Sequence, residues 1–301
     1  MISRPMAKTR EIKGRIKAVS NIQRITKTMQ MIATARFQAS QKRATAAKPF
    51  TQKIAELVGE LAATAGNLSH PLLKKPEPAA GRDLLLVITS NRGLCGGYNA
   101  NILRTAMGWI RQQGDRPFDL EVVGRKGLAY FRFAKVPVTT FHSQFTDKPA
   151  FEEVERLATQ YMDAFTSGKY DSVNVVYMSF QSASRQTPIV LNLLPLRDPT
   201  AGVQGDGAGV GVEPGQVDYD FSPTPDELLA ELLPMTVKTQ LFQCFNEAVV
   251  GEQIARMVAM KAATDSAGKM RKELVRRFNR ARQAAITTEL SEIIAGAAAL
   301  D

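Results

Sequence analysis

Few of the 301 side chains have the type and spacing to do chemistry. The most suggestive stretch is SNRGLCGG (90–97), between an apolar run and a helical segment, where phosphates often meet a helix N-terminus. It is not GxGxxG, no GxxxxGKS or GxxxxGKT occurs, and no acid is placed for a ribose. The plainer reading is a tight turn that needs small residues. Cys95 within it has no accompanying reactive-thiol motif and reads as a small turn residue. His70 and His142 are the only histidines and share no metal-ligand spacing. Glu152 and Glu153 suit a helix start, where the dipole favours acids. No nucleophile–base pair stands out, so no catalytic, cofactor or metal residue is assigned, and an enzyme is the weaker class. A nucleotide-binding enzyme using the turn at 93–97 would bind dinucleotides as an isolated chain.

The elements that would position any site fall into three parts: 1–66, 67–233 and 234–301. In the first, Ile12, Ile16, Val19, Ile22, Ile25, Met29 and Ile32 recur at helical steps, with basic residues between them. Pro49 kinks or divides this helix, and Gly66-Asn67 makes a plausible C-cap before a linker. In the middle part DLLLVITSN (83–91) reads as a buried parallel strand. Helices at 98–113, 125–134 and 150–165 alternate with strands at 119–124, 138–141, 172–180 and 189–196. That alternation predicts an α/β domain with a largely parallel sheet. The Gly-, Pro- and Asp-rich stretch 197–223 reads as a flexible surface loop, and a short helix at 226–233 leads to Pro234.

The last part has no proline from Lys238 to Leu300. Some 65 residues of helix would be a rod of about 100 Å, too long for one globular core. Ala267, Met270, Leu274, Phe278, Ala281 and Ala285 form one apolar stripe, opposite Lys269, Arg271, Lys272, Arg276, Arg280 and Arg282. The first helix runs toward the α/β domain and the last runs away. Their stripes therefore meet antiparallel, as a coiled coil whose C-terminal end extends beyond its partner.

The net charge of +10 is unevenly placed, because residues 1–48 hold twelve Lys and Arg against the single acid Glu11. Such a helix suits a nucleic-acid arm, a membrane-surface helix or a solvated face meeting acidic partners. The scarcity of aromatic residues before Phe50 disfavours the first two. No apolar run reaches the ~18–20 residues of a membrane span, so no direct insertion is expected. The opening MISRPMAKTREIK has no secretory signal and is short for a transit peptide, and two isolated cysteines suit a reducing compartment.

ARMVAMKAATDSAG (255–268) and ARQAAITTELSEIIAGAAA (281–299) closely resemble the gamma subunit of F-type ATP synthases. Ile286, Thr287, Glu289, Glu292, Gly296, Ala297 and Ala299 match that family's C-terminal signature in order. IKAVSNIQRITKTMQMIATA (16–35) resembles its opening helix, and SNRGLCGGYN (90–99) its central turn. The resemblance implies an antiparallel coiled coil of the terminal helices on a Rossmann-like α/β domain. It implies a non-catalytic central rotary stalk that couples rotation of the membrane c-ring to ATP synthesis or hydrolysis at beta subunits. The implied partners are the alpha and beta subunits of the catalytic hexamer, the epsilon and delta subunits and the c-ring, with no cofactor and no nucleic acid. By the same resemblance Lys27 and Met29 match contact positions on the first helix, Met29 would face beta's acidic lever segment, and Arg282 and Gln283 would hydrogen-bond a loop of beta. Thr287 and Glu289 match further contact positions, while Ile293, Ile294 and Leu300 would form an apolar tip. The implied place is the cytoplasmic side of a bacterial inner membrane, as a peripheral protein. A basic helical nucleic-acid-binding protein is the alternative. The 197–223 loop lies near where chloroplast relatives carry a regulatory cysteine pair, and it has no cysteine.

Overall fold

The structure, a computed structural model, describes residues 4–65, 70–74, 76, 79, 81–196 and 225–298. The loop at 197–223, the cap at 66–67 and Leu300 lie outside them. In chain order the elements are α1 (Arg4–Ala65), β1 (Asp83–Ile88), α2 (Tyr98–Gln113), β2 (Phe118–Val123) and α3 (Arg125–Phe133), followed by β3 (Thr140–His142), α4 (Phe151–Thr166), β4 (Ser172–Phe180), β5 (Gln186–Leu194) and α5 (Pro225–Ala298). They form two compact units, Met1–Thr34 with Arg256–Asp301, and Ala35–Ala255. Both long helices contribute to both units.

The larger unit is built on a five-stranded sheet ordered β3-β2-β1-β4-β5. Strands β1 to β4 are parallel, and β5 returns antiparallel to β4 with a register shift at Val173/Asn174. Every residue of β1 is buried, as its unbroken apolar run requires when both sheet faces are covered. Successive side chains alternate between two cores. Leu84 and Leu86 meet Val154, Leu157 and Phe165 of α4 and Leu229, Leu233, Val237 and Leu241 of α5. Leu85 and Val87 meet Ile102, Ala106 and Trp109 of α2 and Phe131 of α3.

Two turn chemistries fix the sheet's ends. Gly124 sits at φ +93°, and a Cβ there would lie 2.2 Å from the Thr89 carbonyl oxygen. Only glycine permits that approach, which lets Thr89 Oγ1 donate to the Val123 carbonyl (2.8 Å) and accept from Gly127 N–H (2.9 Å). At the opposite end Arg116 donates to Asp83 (3.1 Å) and Asp171 (2.8 Å), and Tyr170 donates to Asp119 (2.7 Å).

Pro49 does not divide the first helix but lies inside continuous α1, and Pro234, expected in the first turn of the last helix, lies inside α5. At Pro234 the reason is packing. Leu229, Leu233, Val237 and Leu241 step by four into one core, and their burial outweighs a lost backbone hydrogen bond of about 1 kcal/mol. Pro225 takes the first helical position, where its missing N–H costs nothing.

Candidate partner interface

In the smaller unit the helices pair antiparallel. Thr264 Oγ1 donates to Thr26 Oγ1 (2.8 Å), and Gly268, one turn further along α5, lies against the side chain of Gln23, one turn earlier in α1. The seam of α1 runs Ile12, Ile16, Val19, Gln23, Thr26, Gln30, Ala33, a 3-4 alternation, and each is buried or half-buried. Facing it are Met260, Thr264, Ala267, Leu274, Phe278, Ala281 and Ala285.

This differs from the stripes expected from apolar type. Ile22, Ile25 and Ile32 are 52%, 58% and 50% exposed, and Met270 is 54% exposed. A two-helix seam has room for about two positions per heptad. The 3.5-residue repeat selects polar Gln23, Thr26 and Gln30 for it and leaves the isoleucines on the neighbouring face. With half-buried Met29 they make an outward apolar stripe at 22, 25, 29 and 32. A sustained heptad count, ignoring residue type, would have found them.

Lys27 is exposed, close to that stripe. Arg282, Gln283, Thr287, Glu289, Ile293 and Ile294 are all exposed on α5, and every residue from Ile286 to Ala297 is exposed. Steps of three and four put Arg282, Ile286, Glu289 and Ile293 on one helix face and Gln283, Thr287, Leu290 and Ile294 on the next. The structure does not bring the two groups together. Lys27 lies level with about Ala263, so Arg282 is roughly 28 Å further along the rod. Thr287 and Ser291 close their hydroxyls onto the carbonyls of Gln283 (3.0 Å) and Thr287 (2.9 Å), leaving the apolar faces open. Among the described residues, no ion pair engages Lys27, Arg282 or Glu289.

This segment of α5 is strongly cationic, with seven Lys and Arg from Lys269 to Arg282 against Glu273 alone. Exposed i,i+4 pairs, Arg15–Glu11 and Arg277–Glu273, neutralise little of the rod's charge. The arrangement combines a cationic collar with uncovered apolar stripes. It is suited to binding a large acidic and apolar surface, not a small molecule.

The Gly-rich turn is closed on itself. Ser90 N–H donates to Asn99 Oδ1 (3.0 Å), Asn99 Nδ2 donates to Ser90 Oγ (2.8 Å), and Ser90 Oγ donates to the Arg92 carbonyl (2.7 Å). Buried Cys95 accepts from Asn99 Nδ2 at 3.2 Å. Gly96 takes φ +56°, and Leu94 takes φ +65°. These groups answer one another, as a turn of structural purpose requires.

Sequence reasoning missed one polar cluster because no motif links its members. Glu121 Oε2 lies 2.6 Å from His142 Nε2 and accepts from Tyr161 Oη at 2.7 Å. Burial, reinforced by Glu121, pushes the Tyr161 hydroxyl well above its usual range. Among the described residues no three His, Cys, Asp or Glu side chains gather to hold a metal.

A family profile described as "ATP synthase" matches residues 8–300. The ATP synthase gamma chain of Rhodopirellula baltica is 41% identical over 298 residues, covering 98% of this chain and all of the relative. The ATP synthase gamma chain of Leptospira biflexa is 40% identical over 297 residues, with the same coverage of both chains. Among solved structures, a chain in the rotor of the Euglena gracilis mitochondrial ATP synthase superposes with a TM-score of 0.61. It is 16% identical, and the match covers 93% of this chain and 99% of that one. A chain from the same enzyme's OSCP/F1/c-ring assembly gives a TM-score of 0.64 at 17% identity, covering 98% and 95%. At such identity the likeness is one of fold.

Proposed function

The chain belongs to the ATP synthase gamma-chain family, and from that premise we propose that it is the central rotary stalk of an F-type ATP synthase. It performs no catalysis itself. The observation that supports this reading is full-length similarity to named gamma chains, joined to a rod whose outward apolar stripes and free C-terminal end its own described residues leave uncovered.

The rod enters a ring of alternating alpha and beta subunits. Epsilon, delta and the membrane c-ring complete its surroundings, on the cytoplasmic side of a bacterial inner membrane. Among the described residues no helix is long and apolar enough to cross a membrane. One asymmetric rod touches each identical site of the ring differently. Only contacts that differ between conformations shift populations, so rotation changes each site's nucleotide affinity in turn. Lys27 and Met29 act at one level, opposite an acidic segment of beta. Arg282, Gln283, Thr287 and Glu289 act roughly 28–39 Å away, where the guanidinium and amide hydrogen-bond a loop of beta. Ile293, Ile294 and Leu300 seat the tip by non-directional apolar contact, which does not trap one angle.

The test is affinity purification of the tagged chain from gently solubilised native membranes, with ATPase activity assayed in the eluate. Recovery of activity with alpha and beta in excess over the chain is expected. A chain that emerges alone, or with nucleic acid and no ATPase, defeats the reading.

A further inference from the structure

We propose that the polar waist at Gln23, Thr26, Thr264 and Gly268 is a register lock, which fixes the longitudinal stagger of α1 against α5. The lock rests on geometry within the helix pair, and it draws on the stalk reading only for its mechanical meaning.

A 3-4 seam of apolar knobs discriminates poorly between registers one heptad apart, because each knob meets another knob of similar kind. In this pair a one-heptad slip would set Thr264 against Val19 or Ala33, both apolar and buried, instead of Thr26. The native stagger alone joins the two hydroxyls. Thr264 Oγ1 lies 2.8 Å from both Thr26 Oγ1 and the Met260 carbonyl and shares its one proton between them, while Thr26 Oγ1 donates to the Gln23 carbonyl (3.1 Å). One turn away the same stagger seats Gln23 over Gly268, where a Cβ would stand 3.0 Å from Gln23 Nε2. A helix-interior glycine is unfavourable relative to alanine, and here it gives the Gln23 amide room that a methyl group would narrow. After a slip Gln23 would face Lys261 or Val275, neither of which leaves that space. Apolar residues at these positions would pack more tightly, but they would lose the feature that distinguishes one stagger from the next. A rod that carries torque through two helices needs that distinction.

Disulfide trapping in the full-length chain reads the stagger directly. Val19→Cys with Arg271→Cys reports the native register, while Val19→Cys with Phe278→Cys and Ile12→Cys with Arg271→Cys report one-heptad slips in the two directions. The native Cys95 and Cys244 are buried and do not compete. In the otherwise unaltered chain the native pair cross-links in strong preference. With Thr26→Val, Thr264→Val and Gly268→Ala together, the slipped-to-native ratio rises about tenfold, the size expected from one lost cross-seam hydrogen bond and one lost steric fit. Thr26→Ser alone keeps the hydroxyl and leaves the ratio unchanged, which also controls for misfolding. An unchanged ratio in a triple variant of normal helicity overturns the lock. Because cross-linking is scored without ATPase partners, that failure is separate from failure of the stalk reading.

Discussion

At Gly124 the Thr89 carbonyl leaves no space for a methyl group and the backbone angle is left-handed. Gly124→Ala should therefore destabilise the chain by about 3–5 kcal/mol, read as a lower guanidinium midpoint. Arg116 is the charge partner of Asp83 and Asp171, which are 4% and 3% exposed. Arg116→Ala removes their cation, leaving Asp83 the Ser172 hydroxyl and Asp171 the Gly81 N–H, and should cost about 1–3 kcal/mol in the same measurement. A third expectation concerns alkali. Burial, with Glu247 nearby, holds the Cys244 thiol well above its ordinary 9.0, and burial likewise raises Tyr177 and Tyr161 above 10.0. Each group is protonated more tightly when folded, so its stabilisation is complete below its unfolded value and is lost as pH rises past it. The thermal midpoint should hold to about pH 9 and then fall, and Cys244→Ala should remove the earliest part of that fall. A flat profile to about pH 10.5 would show these groups to be solvated. None of these residues was legible beforehand. Their roles depend on neighbours 33 to 67 positions away in the chain, such as Asp83 for Arg116 and Tyr177 for Cys244.

At the scale of elements the sheet was the legible part. A wholly buried strand such as β1 has to be apolar at every position, and that run stands out in any reading. The helix pair was legible in direction and partner but not in face. Ile22, Ile25 and Ile32 mark where apolar residues are, whereas the repeat length decides which positions meet the other helix, and there it selects Gln23 and Thr26. An outward apolar stripe therefore looks like a core in the sequence. Ile293→Gln with Ile294→Gln tests that view. Both residues are exposed in the chain, so its own melting should shift by less than about 1 °C, while co-purification with the alpha and beta subunits weakens. A large loss of the chain's own stability would mean these residues pack internally.

For the molecule as a whole, the family was legible in the terminal helices, at 255–268 and 281–299, and the profile match over residues 8–300 extends it through the chain. Exposure alone does not name an occupant, so the assignment of exposed residues to partners is a proposal that rests on the resemblance. Arg282→Ala with Gln283→Ala provides the functional check. The complex should assemble, yet its ATPase rate should fall about tenfold, as loss of a charge-assisted hydrogen bond in the rotating contact implies.

Helix α5 runs without interruption from a packed core at Leu229–Ala248 to a stretch past Ile286 with no covered side. Its backbone amides share one hydrogen-bonding pattern but not one opening energy. Exchange with heavy water should be governed near Leu241 by unfolding of the α/β unit and near Leu290 by local fraying of a lone helix. Along 74 consecutive residues of a single helix, amide protection should therefore grade from the slowest exchanging in the chain to nearly unprotected. The seating of the tip in a partner would then register as a slowing of exchange confined to the last few turns.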